Sequence, residues 1–322
     1  MDCLFQWVLM MKSHKAALFG AIALVASVLV VIGAQNKPER TAANSSVTVP
    51  ESRDIVRLSA ASKPAPGAAS RESAVAAFDG TAARNVQLET SLAWVFGGKQ
   101  QRGWGIYTPL IANEIGADAE PVSSRFASQL SLWESAHRIA PSGVLDGDAW
   151  SHMISTFQSQ RLKDWTHPTA DELVTIPSSD CYDASRPEEL RKARSETYAA
   201  YKRMVAAAAA EPALGLKVSQ DGQLAADEKF LKIVSAYRSQ EYQDQLRRQS
   251  PHSGSAGLAT HSPHSTGRAL DLYVGGEPVN TKDENRAVQT RGPVYRWLVK
   301  NAGRFGFRPY FYEPWHWEYV GK

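Results

Sequence analysis

The sequence predicts an α+β chain carried behind an N-terminal membrane-type segment, and three observations lead there. An unbroken apolar run occupies Ala16 to Ala34, helical periodicity governs the middle of the chain, and strand-like pieces concentrate in the C-terminal third. The 322 residues leave room for two domains, and a hydrophobic content of 43% argues against wholesale disorder and multi-span membrane classes. A net charge of +3, spread along the chain, gives no concentrated basic patch, so no nucleic-acid partner is expected. The two cysteines, Cys3 and Cys181, belong to no CxxC pair, which excludes a disulfide framework and a thiolate zinc ribbon.

The elements follow in order. The run AALFGAIALVASVLVVIGA (16–34) carries no charge and, at about 1.5 Å per residue, roughly spans a bilayer core. Lys12, His14 and Lys15 precede it, so residues 1–15 are expected in the cytoplasm and the rest across the membrane, on the extracytoplasmic side of a single-pass anchor. A cleaved signal peptide, giving a secreted protein, is the alternative; Ile32-Gly33-Ala34 is a poor A-x-A site, and Met10 or Met11 could serve as the start. A crossing there separates Cys3 from Cys181, leaving Cys181 a single thiol without a partner. Residues 35–85, rich in Ser, Ala, Pro and Thr, cannot bury enough apolar area to offset chain entropy and read as a flexible linker with a reach on the order of 40 Å.

Order is expected from Val86. Phe126, Leu130, Trp133 and His137 recur at helical spacing behind Ser123 and Ser124, and Trp150, Met153, Ile154 and Phe157 line a second helix after the turn PSGVLDGD. This pair of helices resembles the peptidoglycan-binding domain of many wall hydrolases; a helical spacer packed on the next domain is the alternative for residues 86–178. Trp104, Tyr107 and Leu110 are read as core. The segment DASRPEELRKARSETYAAYKRMVAAAAA is expected to be one helix opening the C-terminal domain, with Ser185 and Glu188 as a capping box, Pro187 in the first turn, and Leu190, Ala193, Thr197, Tyr201 and Met204 along one face.

The chemistry concentrates after that helix. Four of the eight histidines, His252, His261, His264 and His316, lie beyond residue 250. In SPHSTGRALDL, His264 and Asp271 are too far apart along either a helix or a strand to share one ion, since donors must lie about 2 Å from a metal. The chain must fold back between them; Ser265-Thr266-Gly267 supplies the turn, Gly267 being free to take positive φ, and Ala269 to Leu272 then reads as a strand. In YFYEPWHWEYVG, Glu313 and His316 stand three apart among aromatic residues. A catalytic zinc site needs three protein ligands, an open position and a nearby carboxylate base. His264, Asp271 and His316 as ligands of one zinc ion, with Glu313 as base, fill that set.

SxHxxGxAxD followed by ExWHxxY resembles the VanY-type D-alanyl-D-alanine carboxypeptidases, in the superfamily that also holds lysostaphin-type enzymes and the hedgehog signalling domain. Ser262, His264, Gly267, Ala269 and Asp271 match the first motif, and Glu313, Trp315, His316 and Tyr319 the second. SAYRSQEYQ upstream and WLVKNAGRFGFRPY before the last motif are similar too, so the resemblance covers roughly residues 179–322. It implies an antiparallel sheet flanked by helices. It also implies a single zinc on His264, Asp271 and His316, and Glu313 as the group that moves a proton from water to the leaving amine. SQDGQLAADEKF, between Leu214 and Ser235, looks longer than a minimal family loop and departs from the pattern.

Arg238, after the strand-like Leu231 to Ala236 and before a helix expected from Ser239, is placed to receive a substrate carboxylate; the resemblance implies that it faces the substrate or the polarised carbonyl, and an ordinary ion pair with a surface carboxylate is the alternative. Ser262 and Gln243 are weaker candidates for binding the peptide. His252 and His261 sit in a Ser/Gly-rich loop and are expected to be solvated, Trp297, Trp315 and Trp317 are expected to be core or cleft wall, and Tyr319 to pack or to steady the transition state. The expected activity is a zinc metallopeptidase, not a serine-type one, that removes the terminal D-alanine from peptidoglycan stem peptides in the cell envelope; no protein partner is expected. The alternatives are an endopeptidase or L,D-carboxypeptidase on the same zinc, or a wall-binding protein with a structural zinc, against which Glu313 speaks.

Overall fold

Helical apolar spacing in the middle of the chain and strand-length apolar pieces near its end produce two layers that share one core. The computed structural model describes residues 79–117, 120–220, 222–249 and 262–321. The apolar run 16–34, the linker up to residue 78, Cys3, His252 and His261 lie outside the described residues. No helix among the described residues is long and apolar enough to cross a membrane.

The upstream layer begins with helix α1 (Asp79–Ser91), so residues 79–85, expected in the linker, are helical. A hairpin follows, β1 (Ala93–Phe96) and β2 (Lys99–Arg102), then helices α2 (Thr108–Glu114), α3 (Ser124–Ala136) and α4 (Gly147–Ser159). The capping chemistry is local. Ser123 accepts from the Phe126 amide at the start of α3, while Asp146 accepts from the Asp148 and Ala149 amides at the start of α4, each satisfying donors that have no partner within the helix. Phe126, Leu130, Trp133, Trp150, Met153 and Phe157 are buried as their spacing predicts. His137 is exposed and stacks on Trp133 at a ring distance of 4.1 Å, so it caps the face instead of extending it. Buried Asn85 ties α1 to the intervening turn, donating to the Gly143 carbonyl and accepting from the Leu145 amide. Trp104, Tyr107 and Leu110 are core.

The expected long helix over 183–210 begins later than its apolar spacing predicts. β3 (Leu173–Thr175) pairs antiparallel with β4 (Lys192–Arg194), and helix α5 (Ser195–Ala209) starts only after it. Ser185 bonds Asp183 instead of capping a helix, and Glu188 to Leu190 form one 3-10 turn. The reason is non-local: Arg194 is buried and bonds the carbonyls of Thr166 and Thr266 and the carboxylate of Glu172. A helix at this point would forfeit those bonds and the β3 ladder. Within α5, Thr197, Tyr201 and Met204 are buried as expected.

β5 (Ile233–Ser235), helix α6 (Gln240–Gln249), β6 (Ala269–Leu272), helices α7 (Asp283–Arg291) and α8 (Pro293–Asn301), β7 (Phe307–Pro309) and β8 (His316–Tyr319) complete the fold. The four C-terminal strands form an antiparallel sheet in the order β5-β6-β8-β7, the α+β arrangement expected of this region. Val218 and Leu224 bridge across the turn of the extra SQDGQL segment.

The two layers meet on the aromatic run before Glu313. Phe311 packs on Phe96, Tyr107, Trp150 and Phe157, and Tyr312 on Phe96, at ring distances of 4.8 to 6.5 Å. Buried Arg286 of α7 donates to the Tyr107 hydroxyl at 2.7 Å and to the Tyr312 carbonyl at 3.3 Å. Trp104, Phe126, Trp150, Tyr201, Leu270, Phe311 and Trp317 belong to one continuous buried cluster.

Candidate metal centre

The site is built on sheet register. β6 and β8 run antiparallel with Asp271 opposite His316, and Ser235 of β5 stands opposite Asp271 on the other side. Cross-strand partners project to the same face, so the register alone brings the carboxylate and the imidazole together. His264 arrives from the 3-10 turn Pro263–Thr266, which Gly267 reverses at φ +70° into β6. A Cβ at Gly267 would lie 3.1 Å from the Arg194 backbone nitrogen and 3.3 Å from Leu173 Cδ2, so this position needs glycine for both conformation and space.

The result is a buried triad. His316 Nδ1 lies 2.9 Å and His264 Nε2 3.3 Å from Asp271 Oδ1, and donor atoms of all three residues fall within 4.8 Å of one another. Zinc–ligand distances of about 2.0–2.2 Å place tetrahedral donors roughly 3.3 Å apart, close to both distances from Asp271 Oδ1, and the two nitrogens and one carboxylate oxygen form a donor set that could hold a metal ion. The outer contacts set the tautomers. The His264 Nδ1–H donates to the Ala236 carbonyl at 2.7 Å, leaving Nε2 turned toward Asp271. His316 Nε2 lies 3.3 Å from Glu318 Oε1, leaving its Nδ1 turned inward in the same way.

Charge and burial act against each other here. Burial would raise the Asp271 carboxyl, but the charges and hydrogen bonds of His264 and His316 overrule it and hold it well below the ordinary carboxylate range. Burial pushes His264 down. It would do the same to His316, yet the bonds to Asp271 and Glu318 prevail and raise that imidazole to about 9. Glu318 shows the same contest: burial raises it, and His316 and Arg161 bring it down to about 2.

Glu313 is buried, and burial lifts its carboxyl to about 7; the His316, Arg161 and Arg238 charges oppose that rise and the Asp271 charge adds to it. Its backbone is fixed in a tight turn, with its amide donating to the Tyr310 carbonyl and its own carbonyl accepting from the His316 amide. Arg238 follows β5 directly. Its guanidinium donates to the Ser235 hydroxyl at 3.1 Å and lies 3.6 Å from Asp271 Oδ2, while its amide bonds the His264 carbonyl. The structure therefore brings His264, Asp271, His316 and Arg238 into contact, and the charges of His316, Asp271 and Arg238 act on Glu313.

The remaining candidates sit further out. Ser262 opens the 3-10 turn, half-buried, its carbonyl accepting from Ser265. Gln243 lies on α6, and its side chain falls outside the described residues. Trp315 and Trp317 are core, Tyr319 is buried against Phe307, and Trp297 lines a separate cavity of about 930 Å³ between α2 and α8 that contains none of the candidate ligands. Cys181 is a free, buried thiol.

Two residues were not anticipated. Glu318 is fully buried beside His316, and Arg161, just past α4, donates to it. A glutamate two positions after His316 in a strand shares its face, which is the signal that points to Glu318. Nothing local points to Arg161, 157 residues away.

A model of the family described as VanY, D-alanyl-D-alanine carboxypeptidase, matches residues 190–322. No curated protein matches the chain significantly.

Proposed function

We propose, from the match of residues 190–322 to the family described as VanY, D-alanyl-D-alanine carboxypeptidase, that this chain is a zinc-dependent carboxypeptidase that removes the terminal D-alanine from peptidoglycan stem peptides. The observation that carries the reading is the buried His264–Asp271–His316 triad, with a buried Glu313 carboxyl that feels the charges of Asp271 and His316.

A zinc ion held by these three side chains would supply Lewis-acid chemistry, polarising the scissile carbonyl and acidifying a water molecule. The chain's own groups do the rest. Glu313, whose carboxyl titrates near neutrality, accepts a proton from the attacking water and delivers it to the departing amine. Arg238, steadied by Ser235, receives the free carboxylate of the substrate or the oxygen of the reacting carbonyl. A receptor for a free C-terminus favours carboxypeptidase over endopeptidase cleavage. Ser262 and Gln243 are proposed to bond the peptide backbone.

The substrate lies outside the cytoplasm, and the apolar run at 16–34 fits a tether that would hold the enzyme there. Purified protein loaded with zinc should release free D-alanine from a peptide ending in D-Ala-D-Ala, lose that activity on chelation and recover it when zinc is restored. Cleavage confined to interior bonds of wall cross-links would instead favour the endopeptidase reading, and undiminished release after chelation would refute the metal requirement.

A further inference from the structure

The Glu318 carboxylate is an unusual group for the interior of a sheet. It is fully buried, between Ala269 of β6 and Arg308 of β7 in the sheet register, and its carboxylate is hydrogen-bonded from two sources. One is His316 Nε2, at 3.3 Å from Oε1. The other is the segment after α4: Arg161 donates to Oε1 through both Nε and Nη2, and the Leu162 amide donates to Oε2 at 2.9 Å. Arg161 is itself mostly buried, its guanidinium lying 4.0 Å over the Tyr310 ring. The carboxylate is thus clamped from the upstream layer and aimed at a metal-ligand imidazole in the sheet. Arg161 and Leu162 both lie before residue 190, outside the stretch that matches the family.

An imidazole that donates its outer N–H to a fixed carboxylate is locked in one ring orientation and one tautomer, and its inner nitrogen becomes a better donor to a metal. A buried carboxylate can play that part only while it stays charged and oriented, which requires a cation and further donors at hand. Arg161 and the Leu162 amide supply both. We propose that Glu318 is a positioning residue for the metal centre, acting on His316, and that Arg161 acts through Glu318, so that the upstream layer completes the site. The inference rests on the zinc reading above, and the experiment separates the two.

Zinc affinity is measured by competition with a chromogenic chelator on the full chain, on Glu318→Gln and on Arg161→Gln/Glu318→Gln, with circular dichroism of each protein free of metal. The double variant leaves no unpaired buried charge and so guards against simple misfolding. The proposal expects Glu318→Gln to weaken zinc binding about 10–100-fold. It expects the double variant to bind no more weakly than the single one, since the hydrogen bonds of Arg161 reach a metal ligand only through Glu318. Zinc binding by both variants within twofold of the parent would overturn it, as would a double variant that fails to fold without metal, for the pair would then be structural. A parent chain that binds no zinc at all would overturn the zinc reading itself, and this inference with it.

Discussion

Glu313 can act as a base only as a carboxylate, and burial holds its proton up to about pH 7. Below that pH the protonated, inactive form grows, so kcat/KM should fall by about tenfold per pH unit on the acid side. A bound zinc ion would pull the carboxyl down, so the limb should appear at or below about pH 7. A profile flat down to pH 4 would contradict the assignment. Arg238 makes the complementary prediction. Its replacement by Ala should reduce kcat/KM for peptides with a free C-terminus by about 10–100-fold, the worth of a charged hydrogen bond of about 1.5–3 kcal/mol, and leave amidated peptides much less affected. Equal losses would remove its role as carboxylate receptor. At this scale the meeting of His264, Asp271 and His316 was legible because their spacing is local to two short motifs. Glu318 was not read, because its partner Arg161 is brought to it only by tertiary packing.

Turns and strand register position these groups. Gly267 at φ +70° lets His264 and Asp271 meet, and Gly267→Ala adds both a strained backbone and a methyl group against the Arg194 nitrogen. The expected cost is about 1–3 kcal/mol in urea unfolding, accompanied by weaker zinc binding; an unchanged midpoint would show that the turn tolerates a side chain. The strand character of Ala269 to Leu272 and the reversal before it were readable from residues close in sequence. The strand Lys192–Arg194 was not, because its apolar spacing continues that of α5 and its pairing partner, Leu173–Thr175, is remote. Helical periodicity is a local signal, and here the β3 ladder and the bonds of Arg194 outweigh it.

Across the whole molecule, the upstream layer and the sheet share one core, centred on Phe311 and its contacts with Phe96, Tyr107, Trp150 and Phe157. Phe311→Ala should cost about 3–5 kcal/mol, the usual range for emptying a buried aromatic site. Because the residue bridges the layers, both should lose stability together, read as parallel losses of amide-exchange protection in α4 and in β8; loss confined to one layer would show that they fold independently. The helices of the upstream layer were legible in their spacing and caps, whereas the contact of Arg161 with Glu318 was not, since no motif joins Arg161 to the C-terminal strings. The central claim is that a zinc ion on His264, Asp271 and His316 serves catalysis with Glu313 as its base. Zinc content and D-alanine release measured on one preparation of Glu313→Gln test it most directly. The account predicts about one zinc per chain, as in the parent, with turnover reduced by about 10²–10⁴-fold; a variant that keeps its zinc and still hydrolyses at the parent rate would contradict it.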